Sequence, residues 1–300
     1  MQRSADDSPE VSASSQRQGH LPPGTLRVAA TPIGQPGDAS ARLAEALRTA
    51  PVIAAEDTRR LRRLAASLGV QLTGRVISYY DNVEWRKVPA LLADLEAGTD
   101  VLLVSDAGMP AVSDPGYRLV AAAAAAGIRV TALPGPSAAI AALAVSGLPT
   151  DRFVFEGFLP PKAGDRARRL AELAAERRTV ILFAPARDLD DTLTQLAGAL
   201  GPARRAVVCR ELTKTHEQVA RGTLEELAEQ FAGGSLGEVT LVVAGAPARL
   251  PAASLAEAAE QVAARVERGE RTKDAATAVA RELGLRSSEV YDAVHRQRSR

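Results

Sequence analysis

The sequence is short of several residue types that proteins use as chemical equipment. Cys209 is its only cysteine, and His20, His216 and His295 are its only histidines. No internal disulfide framework and no Cys/His zinc spacing can be assembled from these, so no metal site is expected and a reducing, cytoplasmic setting fits. Lys and Arg total 37 against 36 Asp and Glu, a net charge of +1. General attraction to nucleic acid or to an anionic membrane is therefore absent, and any polyanion must be met by a local patch. The longest apolar stretches, residues 119–126 and 138–145, fall far short of the roughly 18 residues needed to span a bilayer, so no membrane contact is expected. Aromatic residues make up only 3%, which argues against a surface that works mainly by stacking bases.

What is there is ordinary globular composition, 46% hydrophobic against 24% charged over 300 residues. At roughly 150 residues per domain this suggests two domains. Residues 1–24, rich in Ser, Gln, Asp and Pro and without the apolar core of a secretory signal, are expected to be a disordered tail. From Thr25 onward, β-rich runs (TLRVAA, VIAA, RVISYY, DVLLVS, IRVTAL) alternate with helical patterns (SARLAEALRTA, RRLRRLAASLG, VPALLADLEAG, YRLVAAAAAAG, SAAIAALAVSG). That is the rhythm of a parallel α/β sheet. Gly69, Gly98 and Gly127 each follow a helix, where a left-handed cap is wanted. LPTDR marks a boundary, giving a first α/β domain over 25–147. The alternation resumes over 148–246 with RFVFEGF, RARRLAELAAE, TVILFA, DLDDTLTQLAGAL, RRAVVCR, a helix over 223–230 and EVTLVVAGA. Residues 250–300 read as a helical module, and KDAATAVARELGLRSSEVYDAVHR as two short helices joined by Gly284, similar to a helix-turn-helix.

Ligands of open parallel sheets lie beyond the carboxyl ends of the strands. Four loops there are unusual: TPIGQPGD (31–38), EDTRR (56–60), SDAGMPAVSDPG (105–116) and PGPSA (134–138). Pro and Gly at this density make a rigid backbone with few side chains, which lets a small ligand meet main-chain N–H and C=O groups directly. Neither the dinucleotide fingerprint GxGxxG after the first strand nor the phosphate loop GxxxxGK[ST] is present, so the ligand is not expected to be held by phosphates. No Ser nucleophile elbow is expected either.

Six motifs, TPIG, IAAEDTR, VSDAG.P..SDPG, LPGPSAAI, GLP.DRF.FEGFLP and RELTKT.E, resemble in order and spacing the small-subunit ribosomal RNA methyltransferase I family of the tetrapyrrole methylase superfamily. The likeness runs from Thr25 to Gly245, with a weaker echo in the KDAA…Y tail. It implies an α/β fold: two α/β domains of the tetrapyrrole methylase type with the donor cleft between them, plus a small C-terminal helical module. It further implies a homodimer that transfers a methyl group from S-adenosyl-L-methionine to a cytidine ribose 2′-hydroxyl in the decoding region of 16S ribosomal RNA, with the small ribosomal subunit as partner. Carried over by motif, the donor contacts are Pro32 and Gly34; Asp106, Ala107, Gly108 and Pro110; and Gly135, Pro136, Ser137 and Ala138. Asp106 is the candidate to face the sulfonium or the ribose. Departures from the family pattern, Gln35, Met109, Phe183-Ala184-Pro185 and His216, leave the donor loops intact and bear on RNA contacts.

Methyl transfer to a ribose hydroxyl is an in-line displacement in which alignment matters more than a strong base. A proton acceptor or a cation near the developing alkoxide still helps. Glu56, Asp57, Glu211 and Lys214 are the charged loop groups that face such a role, with Glu56, Asp57 and Lys214 as the catalytic candidates and the base unassigned among them. Lys214 is one of only four lysines. Arg59 and Arg60 are candidates for RNA phosphates, whereas Arg62 and Arg63 fit a solvated helix face equally well. RARRLAELAAERR reads as a salt-bridged surface, Cys209 as a small buried hydrophobe, and His216 as a loop residue near the substrate face. Arg296, Arg298 and Arg300 fit either RNA contact or solvent. Two rivals stay open: methylation of a tetrapyrrole or a protein side chain by the same fold, and a non-catalytic RNA-binding assembly factor.

Overall fold

The computed structural model describes residues 22–247, 255–283 and 285–298. The expected tail up to residue 21, the Gly284 joint, the side chain of Arg298 and all of Arg300 lie outside the described residues.

The first sheet is built from β1 (Thr25–Ala29), β2 (Val52–Ala55), β3 (Arg75–Ser78), β4 (Val101–Val104) and β5 (Arg129–Leu133), in the order β3-β2-β4-β1-β5. Every pairing in it is parallel. VIAA and VLLV are buried at all positions, as a strand covered on both faces requires. Because side chains alternate, Ile53 and Leu102 face α1 (Ala41–Thr49) and α2 (Thr58–Ser67), while Val52 and Leu103 face α3 (Asp81–Glu96) and α4 (Tyr117–Ala125). Parallel strands also bring all five carboxyl ends to one edge, where the Pro- and Gly-rich loops emerge.

Local chemistry starts the helices. The Ser40 hydroxyl accepts from the Leu43 N–H at the head of α1, and Asp57 accepts from Arg59 and Arg60 N–H at the head of α2. Helix α3 begins at Asp81, ahead of the apolar run VPALLADLEAG that marks it in the sequence, and carries Pro89 inside it. Asp81 and Glu84 give its first turn the negative charge that a helix start favours. Helix α4 has no cap of its own: Gly116, with φ 141°, precedes it and its first turn holds no acid. Glu84 of α3 supplies the missing acceptor. Its Oε1 takes the Gly116 N–H (3.0 Å), the Arg118 N–H (3.1 Å) and the Tyr79 hydroxyl (2.9 Å), and its Oε2 faces the Arg118 guanidinium at 3.6 Å.

The second sheet contains β6 (Phe153–Phe158), β7 (Thr179–Pro185), β8 (Arg205–Arg210), β9 (Gln218–Thr223) and β10 (Glu238–Val243), in the order β6-β7-β10-β8-β9. Here only β6 and β7 run parallel; β10 is antiparallel to β7 and β8, and β9 to β8. The parallel rhythm read from the first half therefore does not extend to the second. Strand β9 adds an edge strand, QVARGT, whose polar and Gly positions hide it from a pattern reading. Helices α6 (Ala163–Ala174), α7 (Leu189–Leu200) and α8 (Leu224–Gln230) cover one face. The other face is covered by α5 (Ala138–Ser146), whose Ala142 and Leu143 pack with Ile181, Val207, Cys209 and Val242. Although α5 precedes the LPTDR boundary in the chain, it packs on the second sheet.

Helices α9 (Leu255–Glu267), α10 (Thr272–Leu283) and α11 (Ser287–Arg298) close a small core of their own around Val262, Val279 and Val290. Among the described residues no helix is long and apolar enough to cross a membrane.

Truncating Glu84 to Ala strands a buried hydroxyl and two backbone N–H groups at once. At about 1–3 kcal/mol for an orphaned buried group, Glu84→Ala is expected to lose at least about 2 kcal/mol in urea unfolding. Glu84→Gln, which keeps an acceptor oxygen, is expected to recover part of that loss.

Candidate active site

A cleft of about 360 Å³ opens where the carboxyl-end loops of the first sheet meet β6, β7 and β10 of the second. Its volume is in the range of small-molecule sites. One wall is formed by Ala107, Gly108, Met109 and residues 112–114, with Ser137 and Ala138 at the head of α5. Opposite them stand Phe158, Phe183 and residues 237–240. The rings of Phe158 and Phe183 lie 5.4 Å apart between centroids, so the lining is apolar and aromatic with exposed main chain between.

The backbone around the cleft is strained. Among the described residues, the non-glycine positions with left-handed φ are Ala111 (69°), Ser113 (62°), Glu211 (52°) and Thr213 (66°). All four fall in two loops, SDAGMPAVSDPG and ELTKT. Such conformations cost on the order of 1–3 kcal/mol each and persist where the surroundings over-determine them. For the first loop the surroundings are the Glu84 anchor and a two-way bridge in which Thr31 and Gly108 exchange N–H···O bonds of 2.9 and 3.1 Å.

The second loop is held from the first half of the chain. The Gln35 N–H donates to Thr213 Oγ1 at 3.1 Å. Gly34 lies so close that a Cβ there would sit 2.5 Å from Lys214 Cγ and 2.9 Å from the Leu212 carbonyl oxygen. Lys214 Nζ in turn donates to Glu211 (2.7 Å) and to Glu238 (3.1 Å) at the cleft rim. Burial alone pulls the Lys214 pKa down, but the hydrogen bonds to Glu211 and Glu238 outweigh it and the net direction is up. The Lys214 hydrogen bond holds Glu211 below the usual carboxylate range. Lys214 is thus a strap between two carboxylates.

At the first-sheet end, carboxylates gather. The Asp106 N–H donates to Glu56 Oε2 (3.0 Å), the Asp57 N–H to Asp106 Oδ1 (3.1 Å), and Arg60 pairs with Asp106 (3.3 Å). Burial pushes Glu56 upward, with the charges of Asp106 and Asp81 adding to it. Burial also raises Asp106 against the opposing Arg60 charge. Asp57 moves the other way, held down by the Arg59 and Arg60 N–H groups that it caps. Asp114, on the cleft wall, is pushed up to about 7 by burial and then by Glu56, Asp106 and Asp81.

Of the residues singled out from sequence, Ala107, Gly108, Ser137 and Ala138 face the cleft. Pro32, Gly34, Asp106, Pro110, Gly135 and Pro136 lie in the same loops but do not line the cleft. Glu56, Asp57, Asp106, Arg59 and Arg60 come together at the carboxylate end, while Lys214 sits at the opposite rim. Cys209 is buried, with its thiol pushed up to about 11 by burial, and His216 is an exposed loop residue. The sequence reading did not place Asp114 or Phe158 at the site, and it assigned the departures Met109 and Phe183-Ala184-Pro185 to RNA contacts, whereas these residues line the cleft. SDPG signalled Asp114, but its position on the wall depends on the fold of the whole loop. Residues 233–237 spell GxSxG, yet they join α8 to β10 and so form no strand-to-helix nucleophile elbow.

The family model "Tetrapyrrole (Corrin/Porphyrin) Methylases" matches residues 25–228. A protein of Mycobacterium tuberculosis named ribosomal RNA small subunit methyltransferase I is 54% identical over 276 residues, covering 92% of this chain and 96% of its own. A Synechocystis protein of the same name is 44% identical over 270 residues, covering 89% and 96%. Among solved structures, the methyltransferase CobJ superposes with a TM-score of 0.57 at 20% identity, covering 74% of this chain and 95% of its own. Uroporphyrin-III C-methyl transferase from Thermus thermophilus, complexed with S-adenyl homocysteine, gives a TM-score of 0.51 at 20% identity, covering 73% and 96%.

Two outcomes check this geometry. Gly34→Ala forces the 31–38 loop away from the Leu212 carbonyl and is expected to cost about 1–3 kcal/mol in urea unfolding, as overpacking does. For Asp114, with a folded pKa of about 7 against 3.8 for the free acid, the native state is favoured by the bound proton below pH 4 and loses that contribution as pH rises through 7. Asp114→Asn has no such loss, so its melting temperature relative to the unsubstituted protein should rise between pH 5 and pH 8; parallel pH profiles would refute the assignment.

Proposed function

The chain belongs to the tetrapyrrole methylase family and, within it, to the ribosomal RNA small subunit methyltransferases I, and on that premise we propose that it uses S-adenosyl-L-methionine to methylate a cytidine ribose 2′-hydroxyl in the decoding region of 16S ribosomal RNA. The proposal has the enzyme acting in the cytoplasm as a homodimer, on RNA in the small ribosomal subunit. The observation that carries it is the cleft itself, walled by the strained SDAGMPAVSDPG loop and rimmed by the strained ELTKT loop of the resemblance.

The residues present fit such a donor. A cleft of about 360 Å³ with two phenylalanine rings and exposed main chain suits a nucleoside with an amino-acid arm, and the nearby carboxylates suit a positively charged sulfur. When bound, the donor supplies an electrophilic methyl group on that sulfur. Ala107, Gly108, Ser137 and Ala138 would contact it, presented by the backbone that Pro32, Gly34, Pro110, Gly135 and Pro136 shape, with Asp106 next to Ala107 in its loop. Phe158 and Phe183 would cover one side of the bound donor.

Asp114 is the group we assign to take the ribose hydroxyl proton. It lines the cleft, and its pKa of about 7 is near the working pH that general bases favour. Burial holds it there, with the like charges of Glu56 and Asp106 adding to the effect. Asp57 orients α2 as its cap and Lys214 holds the far rim, so both act as positioning residues, while Arg59 and Arg60 meet phosphates.

The test is transfer of labelled methyl from S-adenosyl-L-methionine to small subunits that lack the modification, with the product nucleoside identified by mass. Label on a 2′-O-methyl cytidine is expected. Asp114→Asn should lower kcat by about 100-fold or more, with affinity for S-adenosyl-homocysteine within a few-fold by calorimetry. Label on another nucleoside would overturn the acceptor, and an unchanged kcat in Asp114→Asn would overturn its role.

A further inference from the structure

The chain has one Trp, four Tyr and five Phe, and three of these stand exposed at one end of the α3–α4 pair. Tyr80, just before α3, is 42% exposed, Trp85 on its second turn 58%, and Tyr117, the first residue of α4, 72%. The backbone that carries Trp85 is tied to the backbone that carries Tyr117, because the Glu84 carboxylate, next to Trp85, holds the N–H groups of Gly116 and Arg118, which flank Tyr117. Among the described residues half of the exposed aromatic side chains are gathered here, the others being Phe153 and Phe158 on β6 and Tyr291 on α11.

Charge accompanies the rings. The Arg86 guanidinium lies over the Trp85 ring, 4.8 Å from its centroid. The Arg118 side chain is 66% exposed, and Arg59 and Arg60 are exposed at the neighbouring strand end. The face also borders the cleft: Asp81 of α3 acts electrostatically on both Glu56 and Asp114, and Tyr117 follows Asp114 by three residues. Asp81 joins Glu56, Asp106 and Asp114 in an acidic cluster on the cleft side, so a phosphate backbone would run on the arginine side. A two-fold contact with a second copy would bring this face, with its Arg86 and Arg118, against the same face of the partner.

We propose that Tyr80, Trp85 and Tyr117 form a platform on which unpaired bases beside the target nucleotide stack, with Arg86 and Arg118 on their phosphates. The inference rests on the RNA acceptor proposed above. Turning a nucleotide out toward a cleft leaves its neighbours with open ring faces, and aromatic side chains take such faces with little regard to sequence.

Trp85 is the only tryptophan, so its fluorescence reports on the platform without any need for turnover. A single-stranded RNA oligonucleotide is expected to quench that emission to saturation, and a duplex of the same composition is not. Tyr117→Ala should weaken the oligonucleotide about tenfold, as loss of one stacked base predicts, while S-adenosyl-homocysteine affinity stays within twofold. Trp85→Ala, followed by filter binding, should show a similar loss that Trp85→Phe largely restores. Unchanged Trp85 emission at RNA concentrations that saturate filter binding would overturn the platform. So would a dimer-to-monomer shift of Trp85→Ala in sedimentation with RNA affinity unchanged, which would assign the face to a second copy. Failure of the acceptor reading is separable: quenching by RNA without methyl transfer to small subunits would sink the reaction and leave the platform standing.

Discussion

Two loops from opposite halves of the chain hold each other, and the cleft exists because they do. The 31–38 loop presents a glycine, Gly34, where any side chain would strike the Lys214 stem and the Leu212 carbonyl, and presents the Gln35 N–H to the Thr213 hydroxyl. In return the ELTKT loop keeps Glu211 and Thr213 in left-handed backbone and aims Lys214 along the rim toward Glu238. The first sheet has its core on both faces and the second sheet has one on the α6–α8 face, while α5 crosses over from the first half to cover the other. What neither has alone is a second wall for the cleft. The interlock supplies it, and the cost of the left-handed positions is offset by contacts that reach across the molecule.

Electrostatics divides the site into two ends with different tasks. At the first-sheet end, Glu56, Asp106 and Asp114 crowd together under partial burial, so their carboxyls titrate high and one is poised near neutrality. At the other end, Lys214 holds Glu211 below the usual carboxylate range and also ties Glu238. The same residue types at the two ends thus give a proton-exchanging group and a mechanical tie. Neighbours, not residue identity, decide which is which.

Much of the first half was legible in the sequence because its signals are local. VIAA and VLLV are uniformly apolar strands, Gly69, Gly98 and Gly127 take the left-handed φ expected after their helices, and the four loops at the strand ends are marked by Pro and Gly. The start of α3 was not legible, since DNVEWRK has no apolar period and Pro89 suggests a stop; its first turn is held by acids and by contacts of Glu84 with residues more than thirty positions away. Strand β9 and the antiparallel order of the second sheet were hidden for a similar reason: QVARGT is an edge strand whose polar residues and Gly222 interrupt any apolar pattern. At the site, backbone-rich motifs announced themselves, whereas Asp114 acquires its character from burial and from carboxylates that the fold brings near, and Phe158 and Phe183 meet only when β6 and β7 pair.

The packing of α5 bears on how the chain is assembled as it is made. Its residues are synthesised with the first sheet, yet Ala142 and Leu143 are buried against Ile181, Val207 and Val242, which follow later. While the first half folds, this strongly apolar helix has no surface to cover it, and only completion of β10 at Val243 provides the full one. Domains commonly fold as units from the amino end during synthesis. Here the second unit shelters a helix made with the first, so the covering of α5 and the completion of the second sheet at β10 are the same event, ahead of helices α9–α11.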